Sequence, residues 1–187
     1  YALDAALTGN DNTAVGNEAG SSVTSGASNT ALGGYALRYT TTASDNTAVG
    51  KSCLTNNSTG AANTSIGSIA SANNTTGDNN VAVGKSALQE NTTGDNNTAV
   101  GTFALDASET ADNNTAVGYS AMTANTTGTR NVAMGDNALS ANTTGSDHTA
   151  IGSYALDANT TGQNNTAIGS DVLKTNTTGN HNVAIGL

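Results

Sequence analysis

The chain repeats itself every 17 residues from end to end, and this period constrains its fold more than any other feature. The idealised unit reads N-T-A-V-G-x-x-A-L-x-x-N-T-T-G-x-N, with registers 1 to 17 numbered from the opening Asn. A fixed period of this length is typical of proteins whose units stack on one another. The residues at register 1 are Asn12, Asn29, Asn46, Asn63, Asn80, Asn97, Asn114, Asn131, His148, Asn165 and Asn182.

The segment N-T-A-V-G predicts a short strand. Register 2 is Thr or Val, two β-branched residues of similar shape that favour strands. Glycine at registers 5 and 15 and Asn, Asp or Ser at registers 16 and 17 are typical of turns, and no apolar stripe has helical spacing. The sequence therefore predicts an all-β parallel β-solenoid with one unit per coil. Each of about eleven coils would hold two or three short strands and rise about 4.8 Å.

Side chains alternate between the two faces of a strand, so registers 2 and 4 share one face and registers 3 and 5 share the other. Because register 4 is always aliphatic or Met, we predict that registers 2 and 4 point into the coil, with a second aliphatic rank at register 9. The predicted structural core is Val15, Leu32, Val49, Ile66, Val83, Val100, Val117, Met134, Ile151, Ile168 and Ile185.

Registers 3 and 5 would then form an outer strip of Ala and Gly. A face this uniformly small favours the close approach of another backbone. We predict that the strip packs against copies of the same chain, and three-fold symmetry would give every chain the same environment. The predicted self-association strip includes Ala99, Ala116, Ala133, Ala150 and Ala167.

The whole chain, residues 1–187, is predicted to be a single repeat array. It begins and ends inside a unit, without atypical capping units, which indicates a segment of a longer fibre. The net charge of −9 and the lack of a basic stripe argue against nucleic acid as a partner. No apolar run approaches the length of a membrane span, so no membrane insertion is expected of this segment.

Few residues have the spacing of catalytic or metal-binding groups, and the chain is predicted not to be an enzyme. His148 and His181 replace Asn in predicted turns and are interpreted as solvated residues. Cys53 at register 8 is interpreted as a small buried hydrophobe. The weak candidates for a metal site are Asp78, Asp95 and Asp112, which stack at register 16 of consecutive coils. An oxygen-rich ladder of this kind could bind Ca²⁺ weakly, and a solvated or Asn-paired turn is the alternative.

The N-T-T-G limb supports two further hypotheses. Asn at register 12 opens N-x-[ST] sequons, which are glycan acceptors in secreted eukaryotic chains, although one glycan per coil would be crowded. Thr at register 13 forms an evenly spaced rank of the kind that an ice-binding solenoid needs. The simpler interpretation is that both residues serve the ladder between coils. The sequons are at Asn74, Asn91, Asn125, Asn142, Asn159 and Asn176.

The A-[VI]-G element, followed by A-L and N-T-T-G, resembles the head repeats of trimeric autotransporter adhesins of the YadA type. It is also similar to the Asn/Thr/Gly-rich repeats of some phage tail-fibre proteins. The element occurs as Ala14-Val15-Gly16, Ala150-Ile151-Gly152, Ala167-Ile168-Gly169 and Ala184-Ile185-Gly186, and the resemblance covers the whole chain. It implies a left-handed parallel β-roll of three chains side by side on an extracellular fibre. The unit is longer than that of adhesin heads, with the extra residues in the N-T-T-G limb.

Together these features predict a non-enzymatic structural segment of an extracellular fibre, on a virion or a cell surface, that supports attachment to a host or surface. Its partner is predicted to be itself, as a homotrimer, with a host-surface receptor or glycan as a further candidate. The alternatives are a trimeric autotransporter adhesin head that binds host matrix or cells, and an ice-binding β-solenoid.

Overall fold

A computed structural model describes residues 1–5 and 7–186 of the chain as a stack of coils with one short strand per repeat. Each strand covers registers 2–4, where Thr or Val and an aliphatic residue flank Ala or Ser. In the described residues the strands are β1 (Thr13–Val15), β2 (Thr30–Leu32), β3 (Thr47–Val49), β4 (Thr64–Ile66), β5 (Val81–Val83), β6 (Thr98–Val100), β7 (Thr115–Val117), β8 (Val132–Met134), β9 (Thr149–Ile151), β10 (Thr166–Ile168) and β11 (Val183–Ile185).

The strands form one parallel sheet in the order β1 to β11, which confirms the predicted all-β solenoid. Every strand pairs with the same register of the next unit, as in the pairs Thr98↔Thr115 and Ala99↔Ala116. The backbone ladder continues past the strand ends, where Gly101 donates its N–H to the Val83 carbonyl at 2.8 Å. A repeat without insertions keeps this pairing from slipping along the whole rod.

The prediction of two or three strands per coil is wrong, because in residues 1–5 and 7–186 each unit forms a strand at registers 2–4 alone. Registers 6–11 form successive turns, in which non-glycine residues such as Tyr35 (φ 65°) and Leu37 (φ 49°) adopt left-handed backbone conformations. Such a conformation costs about 1–2 kcal/mol per residue, so packing and hydrogen bonds must hold it in place. No helix in the described part of the chain is long and apolar enough to cross a bilayer.

The strands face the opposite way from the prediction. The strip residues Ala99, Ala116, Ala133, Ala150 and Ala167 are fully buried, so they line the interior of the coil and do not form an outer strip. Conversely, the predicted core at register 4 lies on the outer face, where Val15 is 57% exposed. The outward residues are Val15, Leu32, Val49, Ile66, Val83, Val100, Val117, Met134, Ile151, Ile168 and Ile185, and they range from exposed to half-buried.

The physical reason for this reversal is the buried Asn at register 1. Asn97, for example, is fully buried, and so is Ala99 two residues later. Strand alternation then places registers 1 and 3 on the inner face and registers 2 and 4 on the outer face. On the strand side, the interior of the coil is lined by the small Ala side chains of register 3. The larger side chains of the core come from the opposite wall of the coil.

That opposite wall is built by Ala at register 8 and Leu at register 9, as predicted for register 9. Leu37, Leu88, Leu105 and Leu139 are fully buried, and Met122 fills the same position in its unit. Most units therefore bury one large aliphatic side chain against the alanines of the strand wall, and Gly20 and Ser71 take its place in two units. Because this apolar core is thin, buried polar groups must also hold the coils together.

Two ladders of buried amides supply those polar groups. The register-1 ladder connects coils through the backbone: Asn97 donates Nδ2–H to the Ala111 carbonyl at 2.7 Å, and its Oδ1 accepts the Asn114 N–H at 3.0 Å. The register-12 ladder connects side chains directly, as where Asn74 donates Nδ2–H to Asn57 Oδ1 at 2.8 Å. These bonds satisfy polar groups that burial would otherwise penalise.

The glycines at registers 5 and 15 mark corners of the coil, as predicted. At register 5, Gly101 has φ +138°, and a Cβ there would collide with the carbonyl of Gly118 in the next coil. At register 15, Gly94 has no such conformation, but a Cβ would collide with the Ala111 carbonyl. The first corner therefore requires both the backbone freedom of glycine and its lack of a side chain. The second corner requires only the lack of a side chain, because the backbone of the next coil lies so close to it.

Candidate interaction face

The outer side of the sheet, made by the side chains of registers 2 and 4, is a regular exposed surface. We call it the outer face. Its exposed aliphatic residues include Leu32 (45% exposed), Ile66 (41%) and Met134 (42%). Beside them run eight Thr and three Val at register 2, and no charged residue occurs at either register. A chain with a net charge of −9 thus presents an uncharged strip along its whole sheet.

The parallel pairing fixes the geometry of the outer face. Neighbouring side chains along the rod are about 4.8 Å apart, and the two ranks are about 6.6 Å apart across each strand. Eleven strands give a strip about 48 Å long and roughly 10 Å wide, or about 500 Å². Within the described residues the Thr hydroxyls of register 2, such as that of Thr98, make no hydrogen bond to the chain. The face is therefore flat, half apolar, and free to contact another molecule.

The three candidate metal ligands each accept a backbone hydrogen bond from the preceding coil. Asp78 Oδ1 accepts the Ala61 N–H at 2.6 Å, and Asp95 Oδ1 accepts the Asp78 N–H at 2.7 Å. Asp112 Oδ1 likewise accepts the Asp95 N–H at 2.8 Å. At the same register Ser146 accepts a backbone N–H with a neutral hydroxyl, so this hydrogen bond does not require a charge. Across residues 1–5 and 7–186 no group of three or more His, Cys, Asp and Glu could hold a metal ion.

The sequon asparagines lie inside the coil. Asn142 is fully buried, and it donates Nδ2–H to Asn125 Oδ1 at 2.8 Å and to the Gly145 carbonyl at 3.0 Å. Buried side chains of this kind cannot accept a glycan in the folded chain. The five buried sequon residues are Asn74, Asn91, Asn125, Asn142 and Asn159, and Asn176 is partly buried.

The Thr rank at register 13 is also engaged in the ladder. Thr75 donates its hydroxyl to the Thr92 carbonyl at 2.8 Å, and Thr143 donates to the Thr160 carbonyl at 3.1 Å. These hydroxyls form hydrogen bonds between neighbouring coils. The register-13 rank therefore serves the ladder between coils, whereas the Thr hydroxyls of register 2 on the outer face make no hydrogen bond within the described residues.

The two histidines differ, and the prediction that both are solvated is wrong for one of them. His181 is exposed in its turn, whereas His148 is 1% exposed and occupies a position of the register-1 ladder. Its Nε2 lies 2.7 Å from the Gly162 carbonyl, and its Nδ1 accepts the Asn165 N–H at 3.2 Å. Burial lowers the pKa of this imidazole, partly offset by the hydrogen bond to Gly162.

Cys53 is buried, as predicted for a small hydrophobic side chain. Its thiol donates a weak hydrogen bond to the Ser65 carbonyl, with Sγ and O 3.1 Å apart. Burial raises the pKa of the thiol to about 12, so almost none of it is the reactive thiolate at neutral pH. Cys53 therefore fills the place of the Ala found at register 8 in most units.

The outer face is the feature that reasoning from the sequence missed. The signal that could have found it is the invariance of Asn at register 1, since a solvated turn does not require one residue type in ten units of eleven. The chain matches no protein-family model, no curated protein and no solved structure.

Proposed function

We propose that the chain is a structural segment of an extracellular fibre, assembled from copies of itself, that supports attachment to a host or surface. The observation that carries this proposal is the outer face. It is an uncharged strip that runs the full length of the sheet and leaves aliphatic side chains such as Ile151 exposed. Exposed apolar patches of several hundred Å² mark interaction sites in soluble proteins.

A second copy of the chain is the partner that suits the outer face. Two such strips in contact would remove about 1,000 Å² from water, near the lower limit for a specific interface. Chains that meet side by side present the same repeated ranks to one another at the same 4.8 Å spacing. Three-fold closure would cover the face on every chain, as the resemblance to trimeric fibre repeats also suggests.

The interior suits a mechanical role. Hydrogen bonds between coils run along the axis through the backbone, the register-1 and register-12 ladders and the register-13 hydroxyls. A rod held in this way resists both extension and proteolysis, because few backbone groups are left free to adopt the extended form that a protease needs.

Mass measurement in solution tests the proposal. Sedimentation equilibrium should give three times the 18.3 kDa chain mass for the parent. A triple variant, Val117→Asp with Met134→Asp and Ile151→Asp, places charges on the outer face of three consecutive coils. It should sediment as a single chain with unchanged far-UV circular dichroism, because like charges repel across the interface without entering the core.

The matched control places the same three charges in the same coils at register 14, where Thr127, Thr144 and Thr161 are exposed away from the outer face. The variant with all three changed to Asp should keep the oligomeric mass of the parent. A parent that sediments as one chain, or an outer-face variant that keeps its assembly, would contradict self-association through this face.

Ice binding is the second candidate, and the unpaired Thr hydroxyls at register 2 favour it. They form a flat, regularly spaced array beside the aliphatic rank. However, the aliphatic rank varies in shape from Val100 to Leu32 to Met134, which suits packing against a protein better than matching a lattice. If the parent were a single chain that shaped ice crystals, and Thr98→Lys with Thr115→Lys abolished the shaping, ice binding would replace the fibre proposal.

A further inference from the structure

We propose that His148 is an acid-sensitive latch: its protonation releases the contact between its own coil and the coil that begins at Asn165. The latch would give the rod one place where mildly acidic solution separates neighbouring coils. The inference depends on the solenoid alone and does not rest on the proposed fibre function.

The geometry of the ladder carries the inference, because the imidazole replaces each polar atom of the usual Asn. In the preceding coil, Asn131 donates Nδ2–H to the Gly145 carbonyl at 2.9 Å and accepts the His148 N–H on Oδ1 at 2.9 Å. His148 repeats this pattern with Nε2 beside the Gly162 carbonyl and Nδ1 accepting the Asn165 N–H. The acceptor oxygen of Asn is thus replaced by the lone pair of Nδ1.

This pattern requires one protonation state. Nε2 must carry hydrogen to donate to Gly162, and Nδ1 must not, since it faces a backbone N–H. A second proton on Nδ1 would convert the acceptor into a donor and set two N–H groups against each other in a buried site. Asn159 lies 3.1 Å from Nε2 through its own Nδ2, so it offers no acceptor to the imidazolium at that distance.

The surroundings do little to stabilise a charge on the ring. Asp147 precedes His148, but its carboxylate pairs with Arg130 at 2.7 Å and 2.9 Å and points to the exposed side of the turn. The groups that contact the ring from the adjacent coils are the neutral amides and carbonyls of Asn159, Gly162 and Asn165. A positive charge there would be buried without a direct counter-ion.

The sign of the effect follows from this environment. The pKa of His148 lies below its ordinary value of 6.5 because of burial. As the pH falls below 6.5, the opened coil takes up a proton before the closed coil does, and the free energy of opening decreases. The stabilisation is complete above this range and is lost progressively as the pH falls toward the folded-state pKa.

Hydrogen exchange of the full chain tests the latch. Between pH 7 and pH 4.5, after correction for the intrinsic rate, the amides of residues 159–166 should lose protection while those of the coils near Asn80 keep it. His148→Asn restores the residue found in the other units and should abolish this local loss. Because every carboxylate is unchanged in that variant, the comparison isolates the imidazole.

A transfer variant sharpens the test. Asn131→His combined with His148→Asn moves the imidazole one coil toward the amino terminus. The acid-labile amides should move with it, to residues 142–149. Protection in the parent that is unchanged down to pH 4.5, or an identical loss in the parent and in His148→Asn, would overturn the proposal.

Discussion

Two buried amide ladders run along the rod, and they differ in what they bond. The register-1 ladder joins side chains to backbone groups of neighbouring coils, as Asn97 does with Ala111 and Asn114. The register-12 ladder joins side chains mainly to one another and to the carbonyl at register 15. The first ladder therefore completes the hydrogen bonding of the backbone, whereas the second fills and ties one corner of the coil.

Substitutions within the two ladders reflect this difference. The register-1 ladder departs from Asn once, at His148, and there the imidazole reproduces both hydrogen bonds. In the register-12 ladder Ser108 is too short to reach its neighbour, so Asn91 Oδ1 and Ser108 Oγ are left buried without a partner. The ladder that bonds the backbone is therefore occupied only by residues that can make both hydrogen bonds of Asn. The ladder that bonds side chains to one another tolerates a missing hydrogen bond.

Of the two ladders, the register-1 ladder should be the more sensitive to loss of a side chain. Asn97→Ala leaves the Asn114 N–H and the Ala111 carbonyl buried and unpaired, which should cost about 3 kcal/mol or more. Asn142→Ala removes side-chain bonds of the register-12 ladder and should cost about 1–2 kcal/mol. Urea denaturation followed by circular dichroism measures both, and equal shifts of the two midpoints would show that the ladders are equivalent.

A gentler substitution repairs the gap in the register-12 ladder. Ser108→Asn restores a donor that can reach Asn91 Oδ1, and it should stabilise the chain by about 0.5–1.5 kcal/mol. Ser108→Ala, the control, removes an unpaired hydroxyl without adding a donor and should be close to neutral. A loss of stability in Ser108→Asn under the same denaturation protocol would mean that the gap is needed to fit the coil.

The period and the glycines were sufficient to predict the solenoid, its single coil per unit and its in-register stacking. The sequence also predicted the inward rank at register 9, which the full burial of Leu105 confirms. These features depend on spacing alone. In a 17-residue repeat without insertions, each register meets the same register of the next unit, as the strand pairing shows.

The facing of the strand could not be read from hydrophobicity, because an Ala rank and an aliphatic rank alternate within it. The larger side chains were assigned to the interior, yet Ala116 is buried and its neighbour Val117 lies on the outer face. The deciding residue is the Asn at register 1, which resembles a solvated turn residue until its hydrogen bonds are seen. Burial of His148 was missed for the same reason.

A pair of adjacent substitutions tests which face of the strand lies inside the coil. Ala116→Asp would bury an unpaired charge inside the coil at a cost of several kcal/mol, whereas Val117→Asp would place the same charge on the outer face. Thermal denaturation monitored by far-UV circular dichroism should show that Ala116→Asp fails to fold or melts far below the parent. Val117→Asp should keep the folded spectrum of the coil, even if its assembly is weakened. A folded Ala116→Asp variant beside an unfolded Val117→Asp variant would show that the aliphatic rank, and not the Ala rank, lies inside the coil.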